Sequence, residues 1–327
     1  YSQAHWQTAN RRKTLPLYVP EDCRTLKEAV KRVHEDNRLT TIVLGQGEHV
    51  VAMCEEEDGD ADTFVLPSEY RVCSEVQQEV RVDSNSLKIS SAMRIVGRPD
   101  VTKENIVVVG GIHFKRGIQG NCHLQHLTMR HARGTGVDGI SSFTMEDVLV
   151  EQCGGSGVVA GNTGVIGRCT DVEVRQCGGC GVSTFSGSFI TLIGAKTTVH
   201  HNCTKGESDS YGLGASDSSF YPTIQLLSPL TKEQVSIDNG GGGNWGGEHG
   251  GHTNQIKTLT ETEIAEAAAA AKGEVRVPED CKTLKEAMGR VHASSWRDDY
   301  HWTTIVLGEG EYQIDGRYLK ISSAMRI

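Results

Sequence analysis

Apolar and polar residues alternate along the middle of this chain, and the alternation recurs. Three segments align without gaps: LTMRHARGTGV (127–137), VLVEQCGGSGV (148–158) and VEVRQCGGCGV (172–182), with steps of 21 and 24 residues. A looser fourth member, TTVHHNC, follows at 197–203. Alternation with a period of two predicts strands with one buried face, and the glycines after each strand predict turns. A repeat in the low twenties predicts a β-solenoid, whose inward side chains stack on those of the next coil about 4.8 Å away. Stacking then predicts three buried columns. They are Leu127, Val148 and Val172; Met129, Val150 and Val174; and, at the turn, Ala132, Cys153, Cys177 and Cys203. The glycines behind the last column are expected to turn the backbone with positive φ.

A second repeat is longer and rarer. VPEDCRTLKEA at Val19 returns as VPEDCKTLKEA at Val277. After the turn PED, Leu26, Ala29, Val30 and Val33 fall at helical spacing. TTIVLGQGEHVV (40–51) then reads as an apolar strand ending in glycines, matched in the second copy by TTIVLGEGEYQI (303–314). Thr40 matches Thr303 at an offset of 263 and Leu87 matches Leu319 at 232, so the first copy carries 31 extra residues, most simply 52–82. DNGGGGNWGGEHGGH (238–252) reads as a flexible linker, and ETEIAEAAAAAK (261–272) as a short helix. The domain reading is therefore a solenoid over 18–238, a linker over 239–273 and a partial second unit over 274–327. The second copy stops at SAMRI, the letters that precede VG in the first copy, so the chain reads as a fragment of a longer tandem array. The other reading is an orphan cap that docks on an exposed solenoid end, where bare backbone would invite aggregation.

A cap helix, an apolar strand ending in GQGEH or GEGEY, LKISSAMRIVG, and then repeats of the VLVEQCGGSGV type resemble the pectin-lyase-like right-handed parallel β-helix superfamily. The resemblance covers 18–51, 83–238 and 275–327. It implies an all-β fold: a right-handed parallel β-helix with an N-terminal cap helix, plus a partial second copy of the cap and first coil. The superfamily includes lyases, hydrolases, epimerases and adhesins. Its polar faces usually meet polysaccharide, an inference carried by fold alone. The repeats lack the family's enzymatic signatures: calcium-binding aspartates with a catalytic Arg, the NTD, DD and HG elements, and DPHD. The sole Asp pair, Asp298-Asp299, belongs to the partial copy.

Composition narrows the classes. Gly fills 38 of 327 positions and aromatics only 6%, which suits short strands and tight turns. A net charge of −9 argues against a nucleic-acid partner. No apolar run approaches the roughly 20 residues that span a bilayer. The chain opens at Tyr1 and reads as an internal piece, so a missing signal peptide assigns no compartment. Most of the ten cysteines sit in strand-like segments and read as small buried residues, with a lean toward a reducing compartment. The sequon Asn202-Cys203-Thr204 matters only if the chain is secreted.

Candidate chemistry follows from the outward positions. If Val148 and Val150 point in, three exposed columns form: His126–Asp147–Asp171, Thr128–Leu149–Glu173 and Arg130–Glu151–Arg175. Asp147 and Asp171, one coil apart, would repel, raising one pKa or inviting a cation. With Arg175 they form a candidate catalytic set for proton abstraction from a sugar acid, and His126, Arg130, Glu151 and Glu173 form a candidate substrate-binding set. The structural reading of the same columns is a salt-bridge ladder. In the insertion, Asp58, Asp60, Asp62 and Glu69 take positions 1, 3, 5 and 12 of a Ca²⁺ loop, against a Thr63 where the turn wants Gly and a Pro67 inside the loop. An acidic, solvated surface loop is the alternative. Cys177 and Cys180 form a C-x-x-C near His200, His201 and Cys203, a pattern for zinc or redox chemistry, against the turn ladder that already claims Cys177. The histidine-rich stretch at 110–126 reads most simply as a coil and its turn. Two functions remain. One is a non-catalytic scaffold or glycan-binding module without a cofactor; the other is a polysaccharide lyase or epimerase acting on an acidic glycan, with Ca²⁺ as its possible ion.

Overall fold

The computed structural model describes residues 15–36, 38–51, 86–216, 222–248 and 255–264, and the backbone of five strands between 274 and 326. The helix Leu26–Glu35 opens where the sequence places it. Thr25 Oγ1 accepts from Glu28 N at 3.1 Å and Glu28 Oε2 accepts from Arg24 N at 3.0 Å, so two backbone donors of the first turn are satisfied. Its apolar stripe, Leu26, Ala29, Val30 and Val33, is buried and joins the main core. The helix packs on the strands Pro16–Val19 and Thr41–Leu44.

The rest is mostly β, arranged as three parallel ladders. The first holds Pro16–Val19, Thr41–Leu44, Arg94–Gly97, residues 122–125 and 143–146, Ile166–Thr170, Phe189–Ile193, Thr223–Leu227 and Ile256–Leu259. The second holds Gly47–Val50, Ile106–Val109, residues 127–130 and 148–151, Glu173–Arg175, Thr198–His200 and Ser236–Ile237. The third runs from Ser86–Ile89 through Gly111–Phe114, Val137–Gly139, Val158–Gly161, Val182–Phe185 and Tyr211–Ser216 to Gly243–Glu248. From Thr41 to Leu259 the chain visits first, second and third ladder in that order on every pass.

The predicted columns are present. Val148 opposes Leu127, and Val150 opposes Met129 and Val174. All are buried, as are Val172, Ala132, Cys153, Cys177 and Cys203. Each Val, Leu or Met among them contributes about 1.5–3 kcal/mol on leaving water.

The turns differ from expectation. The left-handed residues behind the second ladder are His131, Gln152, Gln176 and His201, with φ of 57, 53, 56 and 55°; a second left-handed corner, His126, Asp147 and Asp171, separates the first ladder from the second. The glycines of the CGG turns serve close approach instead. A Cβ on Gly157 would sit 2.3 Å from Val174 Cγ1, and one on Gly154 would sit 2.2 Å from the Arg133 carbonyl oxygen.

Two segments also depart from the reading of 239–273 as a linker. Gly243–Glu248 pairs in parallel with Tyr211–Ser216, and Ile256–Leu259 with Thr223–Leu227. Its glycines suit a strand under an aromatic ring, because a Cβ on Gly246 would meet the Tyr211 ring at 2.3 Å. In the second copy Glu274–Val277 pairs in parallel with Thr304–Leu307, matching Val19 opposite Leu44. Then Gly310–Ile314 and Arg317–Ile321 form an antiparallel pair, whereas their counterparts in the first copy, Gly47–Val50 and Ser86–Ile89, each pair in parallel with later strands. A two-residue connection allows only a hairpin; parallel neighbours need a long crossover. Strand Met325–Arg326 likewise runs antiparallel to Thr304–Leu307. The insertion 52–82 and the second cap helix lie outside the described residues.

Candidate functional site

The outward face of the second ladder carries the predicted charged set, and its chemistry is largely internal. Of the residues expected to be exposed, Thr128, Leu149 and Glu151 are buried, at 0, 2 and 3% exposure. The cover is the chain around the short 3-10 turn Lys103–Asn105: Thr128 Oγ1 donates to the Lys103 carbonyl at 2.9 Å. His126 makes two contacts, Nδ1 to Asp147 Oδ2 at 2.6 Å and Nε2 to the Val101 carbonyl at 2.7 Å. Both partners accept only, so both ring nitrogens donate and His126 is an imidazolium. Burial lowers its pKa, but the bonds to Asp147 and Val101 outweigh that and raise it above the ordinary value. Lys103 Nζ reaches Asp147 Oδ1 at 2.8 Å. Burial would raise the Asp147 pKa; Lys103 and His126 overcome this and hold it below the usual carboxylate range.

Asp171 occupies the matching corner and faces the other way. Its Oδ1 accepts from Lys196 N at 3.1 Å, and Gly194 (φ +87°) packs so closely that a Cβ there would lie 2.2 Å from the same oxygen. The stacked aspartates therefore answer to different neighbours. Arg175 is equally committed: Nε donates to Glu151 Oε2 at 2.9 Å and Nη1 to Glu173 Oε1 at 2.9 Å. Arg130 Nε completes the clasp on Glu151 Oε1 at 2.6 Å. The Glu151 side chain is 5% exposed against 29 and 35% for the arginines. Burial raises its pKa, and hydrogen bonds from Arg175 and Arg130 win, leaving it depressed. His200 Nε2 extends the chain to Glu173 Oε1 at 3.2 Å.

The proposed Ca²⁺ ligands Asp58, Asp60, Asp62 and Glu69 lie outside the described residues. Among the described residues no group of three or more His, Cys, Asp or Glu side chains gathers as a metal cluster. In the C-x-x-C, Cys177 sits in the turn column beside Cys153, and Cys180 Sγ accepts from Tyr211 N at 3.2 Å. The hydrogen bond with Cys177, then burial, pushes the Cys153 thiol far above its ordinary pKa; burial alone lifts Cys122 to about 11 and Cys169 to about 12. Those three thiols stay protonated at neutral pH and are poor nucleophiles, whereas Cys177 is drawn the other way, its pKa lowered by the hydrogen bond with Cys153 against the effect of burial. The sequon is occupied structurally: Asn202, 1% exposed, donates through Nδ2 to the Val174 carbonyl at 3.0 Å and accepts from Cys177 N at 3.1 Å.

A further face was missed by the motif search. On the first ladder one outward column runs Arg94, His123, Thr144, Arg168, Thr191, Gln225 and Lys257, in register across seven strands. Its three fixed cations recur on every third strand, roughly 14 Å apart at the usual strand spacing. All three are exposed, none forms an ion pair among the described residues, and the column contains no acid. Polar side chains fill the intervals, His123 and Thr144 half-buried and Thr191 and Gln225 buried, at 2 and 1% exposure. His123 Nδ1 contacts Thr144 Oγ1 at 2.7 Å, and Thr191 Oγ1 donates to Gln225 Oε1 at 3.1 Å. Gln225 Nε2 is buried without a partner. Burial lowers the pKa of His123, so at neutral pH it is an uncharged imidazole. The signal lay in the alternation of MRI, CHLQ, FTME, GRC, ITL, IQL and IKT, segments too dissimilar to align before their register is known.

Comparisons with family models, with curated proteins and with solved structures each found no match. Among the described residues no helix is long and apolar enough to cross a membrane.

Proposed function

We propose that this chain is a right-handed parallel β-helix of the pectin-lyase-like kind. It acts as a non-catalytic module that binds an extended anionic polymer, a polysaccharide by fold analogy. The repeated order of first, second and third ladder supports the helical path. The carrying observation for binding is the first-ladder column, where Arg94, Arg168 and Lys257, none in an ion pair among the described residues, recur every third strand between neutral polar side chains, with Arg94 Nη2 donating to Gln125 Oε1 at 3.4 Å. Arg94, His123, Thr144 and Arg168 form the accessible part of that row and match a linear partner laid across the strands, with each arginine meeting an acidic substituent; Thr191 and Gln225 are covered, which sets Lys257 apart from that stretch. The lyase or epimerase reading has less support, because Arg175 is held by Glu151 and Glu173 and Asp147 by Lys103 and His126.

The test is a panel of acidic and neutral polysaccharides, with and without Ca²⁺, scored for binding and for unsaturated products. Binding that weakens with salt, yields no product and fails in Arg94→Gln/Arg168→Gln/Lys257→Gln supports the proposal. Absence of binding to every member overturns it. A product that disappears in Arg175→Gln overturns the non-catalytic part.

A further inference from the structure

His200 and His201 are adjacent in sequence, and adjacent strand residues normally point to opposite faces. The left-handed backbone of His201, φ 55°, breaks the alternation. Both imidazoles consequently emerge on one side, with Nδ1 facing Nδ1 at 2.7 Å and rings nearly perpendicular at 82°. His200 Nε2 contacts Glu173 Oε1 at 3.2 Å. A carboxylate oxygen only accepts, so Nε2 carries a proton, and in the arrangement where His201 Nδ1 donates, His200 Nδ1 presents its lone pair. Glu173 is itself held by Arg175 Nη1 at 2.9 Å, which fixes the ring's orientation. A carboxylate behind an imidazole is the usual second-layer arrangement of a metal-binding histidine. His201 is exposed and His200 half-buried, so the pair is open to solvent.

We propose that His200 and His201 form a two-nitrogen chelate for a divalent transition metal of tetragonal preference, Cu²⁺ above all. At metal–nitrogen distances of about 2.05 Å, cis ligands at a right angle stand about 2.9 Å apart, whereas tetrahedral ligands stand about 3.3 Å apart. The observed separation of 2.7 Å is that of a hydrogen bond between the rings, and opening it to the right-angle spacing takes a smaller shift than opening it to the tetrahedral one. On binding, His201 moves its proton from Nδ1 to Nε2 and both Nδ1 lone pairs enter the metal's equatorial plane. Water fills the remaining positions, since no third metal-ligating side chain joins the pair among the described residues.

The full chain is titrated with Cu²⁺ and followed by electron paramagnetic resonance. The expected result is one saturable equivalent whose spectrum reports two equatorial nitrogens. His200→Gln and His201→Asn, the latter keeping a residue that tolerates positive φ, each lower affinity roughly a hundredfold, as loss of one arm of a chelate does. His131→Ala, at the same corner three repeats earlier, binds copper as the parent does. Circular dichroism of each variant establishes that it is folded. The proposal is overturned if the double variant retains the parent's affinity and spectrum, if the spectrum reports one nitrogen, or if no saturable binding occurs.

Discussion

Replacing Glu151 by Gln removes one negative charge from between two arginines while keeping the side chain's shape. Arg130 and Arg175 each approach Glu151 within 2.9 Å, and the carboxylate is 5% exposed. At an effective dielectric near 20, two unit charges 4 Å apart interact by about 4 kcal/mol. Both guanidinium groups are about one-third exposed, which screens each attraction, and Arg175 retains Glu173. The loss expected for Glu151→Gln is therefore about 2–3 kcal/mol, just below the range of about 3–5 kcal/mol that breaking a fully buried pair costs. For a domain of this size that lowers Tm by about 4–12 °C. Urea unfolding followed by circular dichroism measures it, and a double-mutant cycle with Arg130→Met isolates the pair. The pH dependence adds a second check. The Glu151 pKa is depressed on folding, so its contribution is present above the unfolded value of 4.5 and fades as pH falls through the folded value. The reasoning fails if Glu151→Gln costs under about 0.5 kcal/mol at pH 7, or if its deficit is unchanged at acidic pH.

Three further outcomes are expected. His126→Gln should cost about 1 kcal/mol, most clearly near pH 5–6. The raised His126 pKa makes its contribution full below the unfolded 6.5 and lost as pH rises through the folded value, while the depressed Asp147 pKa removes the partner only in acid; unfolding at a series of pH values reads this directly. Gly157→Ala should cost about 1–3 kcal/mol, because its Cβ meets Val174 Cγ1 at 2.3 Å, and Val174→Ala should recover part of that loss in a double variant. Asn202→Ala should cost about 1–3 kcal/mol by stranding the buried Val174 carbonyl and Cys177 N–H, and folded protein made in a secretory host should carry no glycan at Asn202 by mass spectrometry.

The inward columns were legible because apolar alternation has only one buried solution. Leu127, Val148 and Val172, and the Cys153–Cys177 turn, took the places that stacking predicts. The cap helix was equally legible, since Thr25, Glu28 and the stripe from Leu26 to Val33 are local signals. The turns were misread because glycine has two uses. Side chains at His131, Gln152 and Gln176 absorb the positive φ, and the neighbouring glycines are needed for space, a property of the adjacent repeat. Within 238–248 the linker reading failed because glycine enrichment resembles a linker until the Tyr211 ring above Gly242 and Gly246 is known.

The sequence by itself determined the repeat, the inward and outward sets, and the stacking of Asp147 over Asp171 and Glu151 over Arg175. Alternation and period are local, and parallel in-register pairing carries them across strands. Only the tertiary structure decided what the outward residues do. Whether a polar side chain faces water, a cation or a covering loop depends on segments far away in the chain: Val101 and Lys103 for His126 and Asp147, and Lys196 for Asp171. The same holds for the second copy, where nearly identical strand letters pair antiparallel because two connecting residues replace a long one. Strand partners are chosen by the connection and by neighbours, neither of which is written in the strand itself.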